Sequence, residues 1–143
     1  MNNSTLVHLL QLAAVCHLGL LWAGASTPKV VGLRKHLAVL PAFIRRLFYV
    51  YFSFIGMLLI GFGLLTFVFA STLVAGEPIA RAVCSLLALF WTARLVVAAF
   101  VFDVRPYLTN WFYRVGYWAL NCTFIYLVAI YTLVAWKGGQ LGQ

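Results

Sequence analysis

The sequence predicts an all-α fold, an integral membrane four-helix bundle formed by a single domain over residues 1–143. Hydrophobic residues make up 65% of the chain and charged residues only 8%, which leaves too little polar surface for a soluble domain of this size. The mean hydropathy of +1.02 agrees with this class. The apolar residues fall into four runs, each near the roughly 20 residues that a helix needs to cross a bilayer. These runs cover residues 6–24, 47–75, 79–102 and 115–136.

The connection after the first run is long and basic, and it carries a helical pattern of its own. Val30, Leu33 and Leu37 recur at steps of three and four residues, with Arg34 and Lys35 between them. A short helix of this kind buries one face in the membrane surface and keeps its cations in water. The pattern therefore predicts an interfacial helix between spans one and two.

Span two carries small residues on one stripe, which predicts close packing against another helix. In lipid, small side chains allow two backbones to approach, and this packing drives helix association. The predicted helix-packing residues are Ser53, Gly56, Gly63 and Ala70.

The first residues of spans two, three and four are typical of the start of a membrane helix. Pro78 suits the first turn of span three, where a missing N–H costs no hydrogen bond. The aromatic segments 48–52 and 111–118 open spans two and four, and such rings are typical of the membrane interface.

The basic residues predict the orientation of the bundle. Seven of the ten Lys and Arg residues lie in connections one and three, which should therefore be cytoplasmic, with both termini outside. A cytoplasmic membrane fits this pattern, and the net charge of +8 indicates contact with anionic lipids and not with nucleic acid. The predicted headgroup contacts are Arg34, Lys35, Arg45, Arg46, Arg105 and Arg114.

Arg94 is a charge within an apolar run and marks a candidate binding site. Counting at ~1.5 Å per residue from the cytoplasmic ends places a polar layer at its depth. One interpretation is a pocket for a lipid or quinone; the other is an Arg94 that snorkels toward a lipid phosphate, held by an amide. The residues of the predicted pocket are Arg94, Asn121, Tyr117, His17 and Ser53.

The sequence predicts no catalytic residues and no metal site. His8 and His17 are nine residues apart and project from opposite sides of one helix, so they cannot share a metal ion within one chain. Neither Glu77 nor Asp103 lies inside a span, which disfavours a proton-coupled exporter. The three cysteines lie far apart and form no C-x-x-C pair. No resident cofactor is predicted, with quinone or lipid left open as a ligand.

The stretches "FYVYFSF", "FWTARL" and "FVFD" carry a family resemblance. With them the chain resembles small bacterial four-span membrane proteins of the DoxX-like kind. The resemblance implies a partner subunit in quinone-linked electron transfer. From the residues themselves we favour a non-catalytic accessory or scaffold subunit that packs with membrane partners or with copies of itself. The alternative is a lipid- or quinone-binding protein; a channel or transporter is disfavoured because the chain shows no internal repeat.

Overall fold

The computed structural model describes residues 2–101 and 110–140. The described part of the chain is helical and contains no strand, and four of its helices are long and apolar enough to cross a membrane. The predicted all-α four-helix bundle is thus confirmed. The helices are α1 (Asn3–Val30), α2 (Leu33–Ala38), α3 (Ala42–Val68), α4 (Ala70–Ala75), α5 (Pro78–Phe100) and α6 (Trp111–Gln140).

Helix α1 is longer than the predicted span over residues 6–24. It continues through Ser26 and Thr27, whose hydroxyls donate to the carbonyl oxygens of Trp22 and Ala23, each at 2.9 Å. A hydroxyl that bonds four residues back is satisfied within its own helix. These polar residues therefore extend the helix where the hydropathy pattern predicted its end.

The short helix predicted between spans one and two is α2. It begins after Gly32, whose φ of +63° lies in the left-handed region that favours glycine. Leu37 is buried, whereas Arg34, Lys35 and His36 are exposed. The helix thus has one apolar and one basic face.

The predicted single span over residues 47–75 is wrong in one respect, because the helix is interrupted at Phe69. Phe69 has φ −101° and ψ 19°, outside the α-helical region, and it separates α3 from α4. The break places Ala70, Leu73 and Val74 in the core. Burial of these side chains accounts for the break in the helix. The continuous apolar run in the sequence does not reveal it. Gly76, with φ +81°, then leads into α5, which has Pro78 in its first turn as predicted.

Helices α1 and α3 pack against each other in opposite directions. A Cβ atom added to Gly56 would lie 3.5 Å from Leu21 Cδ1, and one added to Gly63 would lie 3.2 Å from His17 Cβ. Rising numbers on α3 therefore meet falling numbers on α1. Helices α5 and α6 make the most extensive contact in the bundle. The fold is built from these two helix pairs.

The core lies toward the end of the bundle that carries α4. In α1 the buried side chains end at Leu20, and in α3 no residue before Gly63 is buried. In α6 the described side chains are buried only from Phe124 onward. Toward α2, by contrast, most described side chains are half-buried or exposed, and Leu37 and Ala98 are exceptions. The bundle is therefore tightly packed at one end and loosely packed at the other.

Candidate functional site

His17, near the middle of α1, is one of the fully buried polar side chains among the described residues. The residue is 0% exposed, and its Nδ1 lies 2.7 Å from the carbonyl oxygen of Ala13. A carbonyl oxygen only accepts, so Nδ1 carries a proton and donates it. In the neutral ring the lone pair is then on Nε2. His17 thus presents a hydrogen-bond acceptor to the interior of the bundle.

Three aromatic rings from three other helices surround the His17 imidazole. Its ring centroid lies 5.2 Å from that of Trp91, 6.3 Å from that of Tyr131 and 6.4 Å from that of Phe62, all in edge-to-face geometry. Trp91 also stacks on Phe124, with centroids 5.6 Å apart. Aromatic pairs in such offset or T-shaped arrangements are worth about 0.5–1.5 kcal/mol beyond their buried area. The imidazole is therefore held by α3, α5 and α6 together.

A second polar contact lies beside the imidazole. The hydroxyls of Thr66 on α3 and Tyr131 on α6 are 2.6 Å apart, and either one can be the donor. Both residues are 0% exposed. We define the His17 cluster as His17, Thr66, Trp91 and Tyr131. Each of the four long helices contributes one of these side chains.

Two atoms of the His17 cluster are buried without a hydrogen-bond partner in the described part of the chain. They are His17 Nε2 and Trp91 Nε1. An unsatisfied buried polar group costs about 1–3 kcal/mol in a protein, and hydrocarbon offers it no alternative partner. The two atoms are complementary, because Nε2 accepts whereas the indole N–H only donates.

Gly63 allows α3 to approach the cluster closely. The Cβ that an alanine would carry there lies 3.2 Å from His17 Cβ and 3.5 Å from the Ala14 carbonyl oxygen. Any larger side chain at position 63 would push the two helices apart. The glycine therefore sets the distance between α1 and α3 at the level of His17.

Arg94 lies one turn after Trp91 on α5, outside the cluster. Its side chain is exposed, and its Cζ lies 5.3 Å from the centroid of the Phe124 ring. A guanidinium over an aromatic face is attracted by the ring, by about 0.5–1 kcal/mol at exposed sites. Phe124 thus contacts both Arg94 and Trp91, and it connects the arginine to the buried cluster.

The other residues of the predicted pocket are not gathered around Arg94 by any described contact. Asn121 is half-buried, and its Nδ2 donates to the Tyr117 carbonyl oxygen of its own helix at 2.9 Å. Ser53 is exposed and donates to the Tyr49 carbonyl oxygen at 2.9 Å. Ser53 also precedes Gly63 by ten residues, or about 15 Å along α3. It therefore lies at a different depth from His17.

The remaining predicted residues lie as follows. Of the predicted helix-packing residues, Gly56 and Gly63 face α1, Ala70 is buried in α4 and Ser53 is exposed. Asp103 and Arg105 lie outside the described residues. The described cations predicted to meet lipid headgroups are half-buried at Arg45 and exposed at Arg34, Lys35, Arg46 and Arg114.

The cluster residues other than His17 were missed by sequence reasoning. Thr66 and Tyr131 look like isolated polar positions in apolar runs, and the pairing between them depends on the relative positions of α3 and α6. Trp91 did carry a signal, because it lies mid-span whereas tryptophan favours the membrane interface. Its spacing of one turn from Arg94 was a further indication that this side of α5 is not purely lipid-facing.

The described residues offer no obvious metal site. Among them there is no group of three or more His, Cys, Asp or Glu side chains that could hold an ion. Cys16 is half-buried, Cys84 buried and Cys122 exposed, and none forms a disulfide.

Comparisons of the chain with protein-family models, with curated proteins and with solved structures give no match.

Proposed function

We propose that this protein is a non-catalytic integral membrane subunit that packs with a second membrane protein through α3. The observation that carries the proposal is the exposure of α3. Only 11% of its most apolar stretch is buried within the chain, against 33% for α1 and 28% each for α5 and α6. Helix α3 makes its main contact with α1, which leaves most of its circumference for other molecules.

The exposed side of α3 has a shape and composition suited to another helix. A depression of about 270 Å³ is lined by Tyr49, Val50, Ser53, Phe54 and Met57, which we call the Ser53 surface. Tyrosine, phenylalanine and methionine are enriched in protein interfaces. The small Ser53 side chain bonds to its own helix, and small residues of this kind allow a neighbouring helix to come close. A partner helix that places one large side chain in the depression would fit this surface.

Site-specific photo-crosslinking in native membranes tests the proposal. A crosslinking amino acid is introduced at Met57, which is 63% exposed on the Ser53 surface, and separately at Leu89, which is 67% exposed on α5. We expect a discrete protein adduct from position 57 and none from position 89. Lipid adducts alone at both positions, or equal protein adducts at both, would count against a partner surface on α3.

A substitution that fills the depression sharpens this experiment. Ser53→Trp should abolish the adduct at position 57 while the chain keeps its fold, because Ser53 is exposed. Ser85→Trp, at an exposed serine of α5, is the matched control and should leave the adduct unchanged. Mass spectrometry of the adduct then identifies the partner, or a second copy of the chain.

A second candidate function is lipid or quinone binding near Arg94. The observation that favours it is an exposed guanidinium in mid-span, seated over Phe124 with its Cζ 5.3 Å from the ring centroid. Charged side chains at membrane depth are costly and commonly mark a ligand or ion site. An anionic phosphate or a quinone carbonyl would accept hydrogen bonds from this group, and the nearby aromatic rings would contact its apolar part.

Thermal unfolding with added ligand distinguishes this candidate. Phosphatidylglycerol and a short-chain ubiquinone are added separately, and a rise in melting temperature is expected with the ligand that binds. Arg94→Leu should remove that rise, whereas Arg81→Leu, at an exposed arginine of the same helix, should keep it. A rise that survives in Arg94→Leu excludes a site at this residue.

The proposal extends to the location of the protein. The basic residues favour an orientation with connections one and three in the cytoplasm. The resemblance to small bacterial four-span proteins favours a bacterial cytoplasmic membrane. The resemblance to DoxX-like proteins favours a partner in quinone-linked electron transfer. The identity of the crosslinked partner tests this directly, since a redox enzyme would agree with it and an unrelated membrane protein would not.

A further inference from the structure

The polar groups of the His17 cluster do not satisfy one another. His17 Nε2 needs a donor and Trp91 Nε1–H needs an acceptor, yet both atoms are buried without a partner in the described part of the chain. The Thr66 and Tyr131 hydroxyls share one hydrogen bond at 2.6 Å, which uses one of their two hydrogens. The cluster therefore offers an unused acceptor at His17 Nε2, an unused donor at Trp91 Nε1–H and one further hydroxyl hydrogen on the Thr66–Tyr131 pair.

We infer that one water molecule is bound inside the bundle, where it donates to His17 Nε2 and accepts from Trp91 Nε1–H. Its second lone pair takes the remaining hydroxyl hydrogen of the Thr66–Tyr131 pair. Buried waters in proteins make about three hydrogen bonds of this kind to groups that otherwise have no partner. The bound water connects all four long helices, because each contributes one member of the cluster.

A direct bond between the two rings is a poorer solution than a bridging water. The His17 and Trp91 rings meet edge to face at 74°, with centroids 5.2 Å apart, and their unsatisfied nitrogens do not form a hydrogen bond with each other. Phe62 and Phe124 flank the two rings and provide no polar alternative. A metal ion in place of the water would meet a donor N–H at Trp91, which repels it.

NMR of the full chain in lipid nanodiscs tests this inference. The five tryptophans give five indole N–H signals, and four of these residues are 67–77% exposed. Substituting each exposed tryptophan by phenylalanine assigns its signal, so that Trp91 is identified by elimination without changing the cluster. The exposed tryptophans are Trp22, Trp111, Trp118 and Trp136.

The expected result is magnetisation transfer between water and the Trp91 indole proton, although the residue is only 2% exposed. Tyr131→Phe should keep this transfer, which shows that it does not pass through the hydroxyl. His17→Phe should weaken or remove it, whereas His8→Phe, at an exposed histidine of the same helix, should have no effect.

Three outcomes would overturn the inference. They are the absence of transfer in the native chain, its loss in Tyr131→Phe, and a scalar coupling between Trp91 Nε1 and His17 Nε2. The last would show that the rings bond directly. All three are measured on chains with His17 and Trp91 in place, so the test does not depend on whether His17→Phe folds.

Discussion

Replacing Gly63 by alanine probes the closest approach between two helices in this bundle. The added Cβ would lie 3.2 Å from His17 Cβ, whereas carbon atoms at optimal separation are about 3.5–4.0 Å apart. Helix α3 must therefore move away from α1 by several tenths of an ångström. Because His17 is packed among aromatic rings on its other sides, the imidazole has little room to yield.

The magnitude follows from two opposing effects. Overpacking a well-packed interior costs about 1–3 kcal/mol. Alanine is also a better helix former than glycine, by about 0.8–1.0 kcal/mol. We therefore expect Gly63→Ala to reduce the free energy of unfolding by up to about 2 kcal/mol, since the helix gain offsets part of the overpacking cost.

Gly61 supplies the matched control on the same helix. No atom lies within 4 Å of the Cβ that an alanine would carry at this position. Gly61→Ala should therefore show the helix gain alone, and the two variants should differ by about 1–3 kcal/mol. Reversible unfolding by SDS in mixed micelles, followed by circular dichroism, measures this difference. Equal stability of the two variants would refute the close approach of α1 and α3 at Gly63.

Three further predictions concern the cluster and the orientation of the chain. Tyr131→Phe removes the bond to Thr66 and should lower the free energy of unfolding by about 0.5–1.5 kcal/mol, measured by the same SDS titration; no loss would contradict the hydrogen bond. Phe124→Ala should lower the free energy of unfolding by about 3–5 kcal/mol because a buried ring is lost. Ile125→Ala, at an exposed neighbour, should lower it far less. Similar losses in the two variants would argue against the stack of Phe124 on Trp91. An alkaline phosphatase reporter joined to the C-terminus should be active in bacterial cells, because the C-terminus is predicted to lie outside. A fused fluorescent protein that folds only in the cytoplasm should stay dark. The reverse result would show that the predicted topology is inverted.

The fold was predictable from the sequence because bilayer thickness fixes the length of an apolar helix. The break at Phe69 was not predictable, since the residues on both sides of it are apolar. Only the structure shows that residues after the break are buried in the core. Hydropathy likewise predicted an end of span one near Gly24, but Ser26 and Thr27 bond within the helix and extend it.

The candidate site was predictable only in part. His17 and Arg94 stood out as polar groups within apolar runs. Counting residues from the membrane surface then placed Ser53 at the depth of His17, whereas Gly63, ten residues further along α3, occupies that position. The axial offset between two helices depends on which small residue of one helix packs against which side chain of the other. Hydropathy carries no information about this pairing. Thr66 could not be recognised for the same reason.

The aromatic enclosure of His17 has a consequence for the biosynthesis of the protein. Helix α1 is synthesised before α5 and α6, which carry Trp91 and Tyr131. In the nascent chain the imidazole therefore exists before two of the rings that enclose it. The native surroundings of His17 are completed only when α6 is in place, so a chain truncated after α4 would leave the imidazole without two of its three aromatic neighbours.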